Sequence, residues 1–482
     1  MSNIVPITVA YGDGIGPEIM DEVVYILQKA EAGIRIEVTA MGEKLYQKNY
    51  TSGIASDTWE SLERTKVLLK SPITTPQGGG YKSLNVTLRK ALGLYANVRP
   101  SIAYYPFVHT LHPNLNVVII RENEEDLYAG IEYRHTRNMQ ESIKLISRTG
   151  CEKIVRYAFE YAVRNSRKKV TCFSKDNIMK FTDGIFHQVF DSIAKEYPQI
   201  SNEHYIVDIG TAKLACNPEI FDVIVTSNLF GDIISDVTAA ISGSVGLAGS
   251  ANIGRDYAMF EAVHGSAPDI AGKNIANPSG LLNAAIMMLV HIGQGETASI
   301  IENAWKKTIE DGIHTVDIYD PKLSKQKVGT KEFAAEIVKR LGQKPTKLHI
   351  ANYVSANQPE AKQFSYKIDD SEEKKLVGVD IFIDMHVDSA NKIAQKINPI
   401  DGGSLILKMI TCKGLKLWPR DDDYNMDADH WCCRFMPDSG SITHGQITTL
   451  LSKFAANGVD FVKVENLYEF DGKRGYSLAQ GE

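Results

Sequence analysis

Asp232 and Asp236 close the stretch FDVIVTSNLFGDIISD, residues 221–236. Residues 221–225 are apolar except for Asp222 and rich in β-branched side chains, which predicts a buried parallel strand. Thr226, Ser227 and Asn228 break that run, and a helical pattern follows. At i and i+4 the two carboxylates share one helix face. Like charges so placed repel by roughly 0.2–0.5 kcal/mol unless a cation sits between them. Hard cations such as Mg²⁺ take carboxylate oxygens together with substrate oxygens. Open α/β sheets hold ligands where strands end at their carboxyl edge, which is where this pair is expected. A solvated acidic face is the plainer alternative.

Other polar residues stand at expected element ends. A strand over 204–207 ends in Asp208, a third aspartate. Ser83 is expected to cap a helix bearing Asn85 and Arg89. Arg99 follows a short strand, and Arg121 follows a strand over 116–120. Three arginines at such places suit a polycarboxylate, because guanidinium binds carboxylate in a bidentate fork. Tyr128 in RENEEDLYAGIEY stands beside polar residues at another strand end, where a buried structural tyrosine is the usual reading, and Lys175 in SKDNIMK, with Asn177, could be a base or a counter-charge.

Alternating strands and helices must position these groups. A strand over 4–10 runs into Gly12, Gly14 and Gly16, then Pro17, which suits the first turn of a helix. The third glycine comes too early for the dinucleotide fingerprint GxGxxG. Three glycines imply close backbone approach to a ligand. Thr74 and Thr75 precede Gly78, Gly79 and Gly80. An apolar strand over 257–263 ends in His264, Gly265, Ser266, Ala267, Pro268, Asp269 and Ile270, with Asn277 and Pro278 beyond. A loop of small residues around one His and one Asp can wrap an adenosine. Residues 131–148 alternate as a hairpin arm. Residues 343–372 read as a linker, and 373–482 read βαββαβ, a ferredoxin-like sandwich.

Bulk properties narrow the class. A chain of 482 residues is too long for one core, so two or three domains are expected. A hydrophobic share of 43% and a charged share of 23% are those of a soluble globular protein. A net charge of −6 and a pI near 6.1 leave no basic footprint for nucleic acid. The longest apolar run, 281–290, is too short for a membrane span and contains Asn283. No signal pattern opens the chain. Six cysteines without a CxxC pair point to a reducing cytoplasm rather than a zinc ribbon or a disulfide framework.

The motifs GDGIGPE, NLFGDIISD and HGSAPDIAGKNIANP, in this order, resemble the decarboxylating 3-hydroxyacid dehydrogenases, the family of isocitrate, 3-isopropylmalate and homoisocitrate dehydrogenases. The resemblance covers roughly residues 1–342, and the long chain with its tail is similar to long-form bacterial isocitrate dehydrogenases. It implies the family's own discontinuous two-domain α/β fold, not a Rossmann domain. A large cofactor domain would take 1–98 and 243–342, and a small dimerisation and metal domain 99–242. It implies that Asp232 and Asp236, with Asp208 from the second subunit of a homodimer, ligate Mg²⁺ or Mn²⁺. Ser83, Asn85, Arg89, Arg99 and Arg121 would hold the carboxylates of isocitrate. Tyr128, and Lys175 from the second subunit, would move protons. Thr74, residues 264–270 and Asn277 would hold the dinucleotide. Family members that use NADP place Lys-Tyr where this chain has Asp269-Ile270, so NAD is the expected cofactor and NADP a weaker one. 3-Isopropylmalate or homoisocitrate oxidation is the alternative within the family. A silent regulatory subunit is the alternative outside catalysis.

Overall fold

The computed structural model describes residues 4–47, 53–76, 82–353, 371–400, 402–420 and 426–482. The expected glycine run Gly78–Gly80 and most of the expected linker lie outside these residues. The chain divides into two compact units. One holds residues up to 129 and from 144 into the linker, and the other holds 130–143 with the C-terminal part.

A ten-stranded sheet organises the first unit. Across it run Ile34–Thr39, Val5–Ala10, Val67–Lys70, Ala258–Ala262, Gly249–Ile253, Ala96–Ile102, Asn116–Glu122, Val223–Thr226, Lys169–Ser174 and Ser201–Ile206. The first four are mutually parallel, as are the last four. Antiparallel pairings of Gly249–Ile253 and Ala96–Ile102 join the two halves. Central strands such as Val67–Lys70, Val223–Thr226 and Ala258–Ala262 are buried at every residue, as strands covered by helices on both faces must be. The expected large and small domains both contribute strands to this one sheet.

Helices cover it by apolar stripes. Gly16–Lys29 takes Pro17 in its first turn and buries Ile19, Met20, Val23, Ile26 and Leu27 at helical spacing. The apolar run near residue 285 is the core helix Ser279–His291, beside which Trp305 is fully buried and donates to Ser279 Oγ at 2.8 Å. Among the described residues no helix is long and apolar enough to cross a membrane.

Several local expectations need correcting. Arg99 and Arg121 lie inside strands, because Ala96–Ile102 and Asn116–Glu122 pair over their full lengths. Asp208 sits in the first turn of a helix, Val207–Cys216, rather than at a strand end. The strand Gly249–Ile253 and the helix Thr182–Ala194 were not expected. The former, GSANI, has only Ile253 as a strand former and is held by pairing on both sides.

The second unit carries an antiparallel sheet ordered Leu415–Trp418, Leu405–Cys412, Ala428–Pro437, Lys374–Val387, Phe461–Phe470 and Lys473–Arg474. Helices Ala390–Ile397 and His444–Ala456 bury Ile393, Ile397, Ile447, Leu450 and Phe454 with Val379, Ile381, Trp431 and Phe435. This is the expected βαββαβ order with two added short edge strands. The hairpin arm, Glu132–Arg134 paired with Gln140–Ser142, belongs to the same unit. Asp429 accepts from Thr136 Oγ1 at 2.8 Å and from the Asn138 amide at 3.2 Å. Lys463 donates to Glu141 at 2.5 Å. The rings of Tyr133, His135, His430 and Phe382 form a column with centroids 6.1, 5.7 and 5.4 Å apart.

Candidate functional site

The buried strand Val223–Thr226 feeds the helix Asn228–Ile241, and this helix presents Asp232 and Asp236 toward two arginines from the adjoining strands. Arg121 pairs with Asp232 Oδ1, and Arg99 Nη1 lies 3.2 Å from the same oxygen and 3.8 Å from Asp236 Oδ1. The cation that the acidic pair demands is thus partly supplied by the chain itself. Burial opposes ionisation of Asp232, but Arg121 and Arg99 hold its carboxyl below the ordinary range. Burial and the neighbouring Asp232 raise Asp236, whose side chain is 65% exposed against 36% for Asp232. Tyr128 follows Asn116–Glu122 in a short 3₁₀ turn and donates to Asp232 Oδ2 at 2.5 Å. Its ring lies under the Arg121 guanidinium, 4.8 Å from the centroid. Burial, then Asp232, raises the Tyr128 hydroxyl pKa although Arg121 works the other way.

The arginines are themselves anchored. Arg99 donates to Asn97 at 2.5 Å and to Ser235 at 2.7 Å, and Arg121 donates to Asn228 Oδ1 at 2.8 Å. Arg89, on the helix Leu84–Ala91, donates to Glu261 at 3.0 Å, and Lys70 lies 2.5 Å from the other oxygen of that carboxylate. Burial works against the Glu261 charge, but Lys70 and Arg89 hold its carboxyl well below the usual range. Arg89 Nε and Asn85 Oδ1 are buried without a partner. Such polar atoms are costly unless a ligand or water meets them. Ser83 occupies the N-cap position, but its hydroxyl caps nothing and instead accepts from Thr75 at 3.3 Å. Composition and spacing did not reveal Lys70, Asn97, Asn252 or Glu261. Lys70 and Glu261 sit in strands that read as apolar runs, Asn97 and Asn252 in strands with no apolar run, and pairing across the sheet brings them together.

A second group gathers at the carboxyl ends of the adjacent strands Val5–Ala10, Val67–Lys70 and Ala258–Ala262. Gly14 adopts φ +57°, and a Cβ there would meet the Ser266 carbonyl at 2.0 Å. Asp13 Oδ2 accepts from the Thr74 amide at 3.0 Å, and the Thr74 and Ser266 hydroxyls are bonded at 2.8 Å. His264 Nε2 is buried without a partner, and burial keeps this imidazole neutral by lowering its pKa. Asn277 donates at 3.0 Å to Asp317, which also accepts from Ser244 at 2.6 Å. Gly265, Ala267, Pro268 and Asp269 are exposed, Ile270 is half-buried, and Pro268–Ile270 is a 3₁₀ turn. The sheet topology thus brings Thr74, the loop after His264 and Asn277 to one edge.

Lys175 and Asp208 stand apart from the acidic pair. They bond to each other at 3.1 Å, which lowers the pKa of the Asp208 carboxyl. Asp183 receives the Lys175 backbone amide at 2.6 Å and fixes the turn. Within one chain the ligand atoms of Asp208, Asp232 and Asp236 do not converge. Among the described residues the one such group is Asp176, His187 and His204.

Residues 6–337 match the model of the isocitrate/isopropylmalate dehydrogenase family. This chain belongs to that family. Residues 374–482, most of the second unit, match the bacterial isocitrate dehydrogenase C-terminal domain. The chain is 70% identical to isocitrate dehydrogenase (NADP) of Rickettsia felis over the whole of both chains. It is 40% identical to isocitrate dehydrogenase (NADP) of Thermus thermophilus, covering 99% of this chain and 96% of that one. The crystal structure of the TT0538 protein from Thermus thermophilus superposes with a TM-score of 0.92 at 39% identity, covering 99% of this chain and 96% of that one.

These names overturn the expectation of an NAD-dependent isocitrate dehydrogenase, because the full-length relatives are named for NADP. Asp269 is a poor ground for choosing the dinucleotide. Its carboxylate is solvent-exposed, where salt and water screen its repulsion of a phosphate. Tyr319, Lys322, Lys325 and Lys327 are exposed on the segment that Asp317 ties to Asn277.

Proposed function

We propose that this chain catalyses the metal-dependent oxidative decarboxylation of isocitrate to 2-oxoglutarate and CO₂ with reduction of NADP, as a homodimer with shared sites. The carrying observation is the convergence of Arg99, Arg121 and Tyr128 on the Asp232–Asp236 pair, in a chain that matches a protein named isocitrate dehydrogenase (NADP) along its whole length. The six free cysteines agree with a cytoplasmic setting.

The donor set fits the implied groups. Carboxylate oxygens from Asp232, Asp236 and Asp208 of a second copy suit Mg²⁺ or Mn²⁺, with Asp236 open to solvent. Bound there, the ion supplies Lewis acidity toward the substrate C2 oxygen. The orphaned His264 Nε2, beside Thr74 and Ser266, suits a dinucleotide, which would supply the hydride acceptor.

The chain's own residues do the rest. Arg89, Arg99 and Arg121 bind the substrate carboxylates, with Ser83 and Asn85 bonding the one that 3-isopropylmalate lacks. Lys175 of a second copy assists removal of the C2 hydroxyl proton. Tyr128, kept protonated by burial, gives a proton to C3 after CO₂ has left. Lys322 and Lys325, with Tyr319, are candidates for the extra phosphate of NADP.

Initial rates of NADP reduction by the purified chain test this reading. Isocitrate should be turned over and 3-isopropylmalate should not. Comparable kcat/KM on both substrates would overturn the substrate assignment.

A further inference from the structure

We propose that Asp176, His187 and His204 form a second divalent-metal site, for a zinc-class ion rather than the Mg²⁺ or Mn²⁺ of the carboxylate site. It goes beyond the proposed activity and does not depend on it. Asp176 lies in the turn after the strand Lys169–Ser174, His187 in the helix Thr182–Ala194, and His204 in the strand Ser201–Ile206. One ligand atom from each lies within 4.8 Å of the others. His187 Nδ1 is 2.7 Å from Asp176 Oδ2, and His204 Nε2 is 4.0 Å from Asp176 Oδ1.

Three features favour a metal over an ordinary hydrogen-bonded cluster. First, the two imidazoles are stacked with centroids 3.6 Å apart and planes 16° from parallel. Two protonated rings would repel at that distance, so at least one is neutral and able to ligate. Second, Asp191 Oδ1 lies 3.7 Å from His187 Nε2, one helical turn along. A carboxylate near the far nitrogen is how metal-bound histidines are oriented, and an arriving ion would replace the proton that His187 Nδ1 shares with Asp176 Oδ2. Third, Ser201–Ile206 is the edge strand of the sheet and all three ligands are half-buried, so an ion has an entry path. Ser174 Oγ, 2.8 Å from His204 Nε2, is the group that an arriving ion displaces.

Ligand chemistry sets the class. Two imidazoles and one carboxylate suit Zn²⁺, Co²⁺ or Ni²⁺, whereas Mg²⁺ takes oxygen ligands. A fourth position is left to water. Because Asp176 directly follows Lys175, the ion would fasten the turn that carries the lysine.

The test is a calorimetric titration of the full chain with zinc chloride, with Mg²⁺ in excess to occupy the carboxylate site. Wild type should take up one equivalent per chain. Binding should weaken by at least about a hundredfold in His187→Gln/His204→Gln, because even groups that only orient a ligand are worth 10–100-fold. Asp176→Asn provides the same comparison with both rings intact, should the double variant fail to fold. Asp232→Asn should leave zinc uptake unchanged. Bound Co²⁺ should give the intense visible bands of a tetrahedral site in wild type and not in the variants. No zinc uptake by wild type, or equal uptake by the folded histidine or aspartate variants, would overturn the proposal.

Discussion

The Tyr128 hydroxyl donates to Asp232 Oδ2 across 2.5 Å, so the proposed proton donor and the proposed metal ligand are directly coupled. Replacing the tyrosine by phenylalanine removes the proton and keeps the ring beneath Arg121. Tyr128→Phe should lower kcat by about 10²–10⁴, the usual worth of a general acid, with little change in the KM for isocitrate. Steady-state kinetics and a melting curve check both points, and an unchanged kcat would remove Tyr128 from the chemistry.

The two aspartates should part company in stability. Repulsion between them suggests that Asn at either position leaves the metal-free fold no weaker. The structure supports this for Asp236, which is largely exposed and raised in pKa, but not for Asp232. Asp232 holds Arg121 and Arg99, both nearly fully buried, and weakening that contact strands their charges. Asp236→Asn should therefore fold as well as wild type, while Asp232→Asn should lose about 1–3 kcal/mol. Urea unfolding in EDTA reads the difference, and both variants should be inactive.

That contrast shows what the amino-acid pattern carried and what it did not. The i, i+4 spacing, the buried strand before it and the glycine loops were legible because they are local. The partners of Asp232 were not, because Arg99 and Arg121 reach it across strands distant in the chain. Lys70 and Glu261 stayed hidden for the same reason: each looked like a stray charge in an apolar run, yet they neutralise one another at 2.5 Å. The dinucleotide preference was misjudged because a single exposed carboxylate was given the weight of a buried one.

Glu122 gives a pH prediction. Burial pushes its carboxyl up to about 7, against the pull of the Glu124 and Glu125 amides. The folded chain then keeps a proton that the unfolded chain releases above its ordinary value of 4.5. The contribution is fully present below that value and is lost as pH rises to about 7. One proton limits the slope to about 1.4 kcal/mol per pH unit. Melting temperature against pH should fall less steeply across this window in Glu122→Gln than in wild type. Identical slopes would count against a raised Glu122.

The arm is predicted to depend on the tail. Asp429, Lys463 and His430 supply its polar and ring contacts within the second unit. A chain ending at Lys344 should keep the first unit folded but leave residues 130–143 open to protease. Asp429→Ala should move in the same direction by a smaller amount. Limited proteolysis with mass mapping is the check, and an arm equally protected in all three proteins would contradict it.

The central claim is that one kind of chain holds all the chemistry, with each site completed across two copies. Asp208→Asn and Asp232→Asn should each be inactive alone. Unfolded together in equal amounts and refolded, half of the dimers are mixed, and each mixed dimer carries one intact site of two. The account predicts recovery of about a quarter of wild-type NADP reduction with isocitrate, on random pairing in a symmetric dimer. Mixed dimers that form, by separable tags, yet show no activity would contradict it.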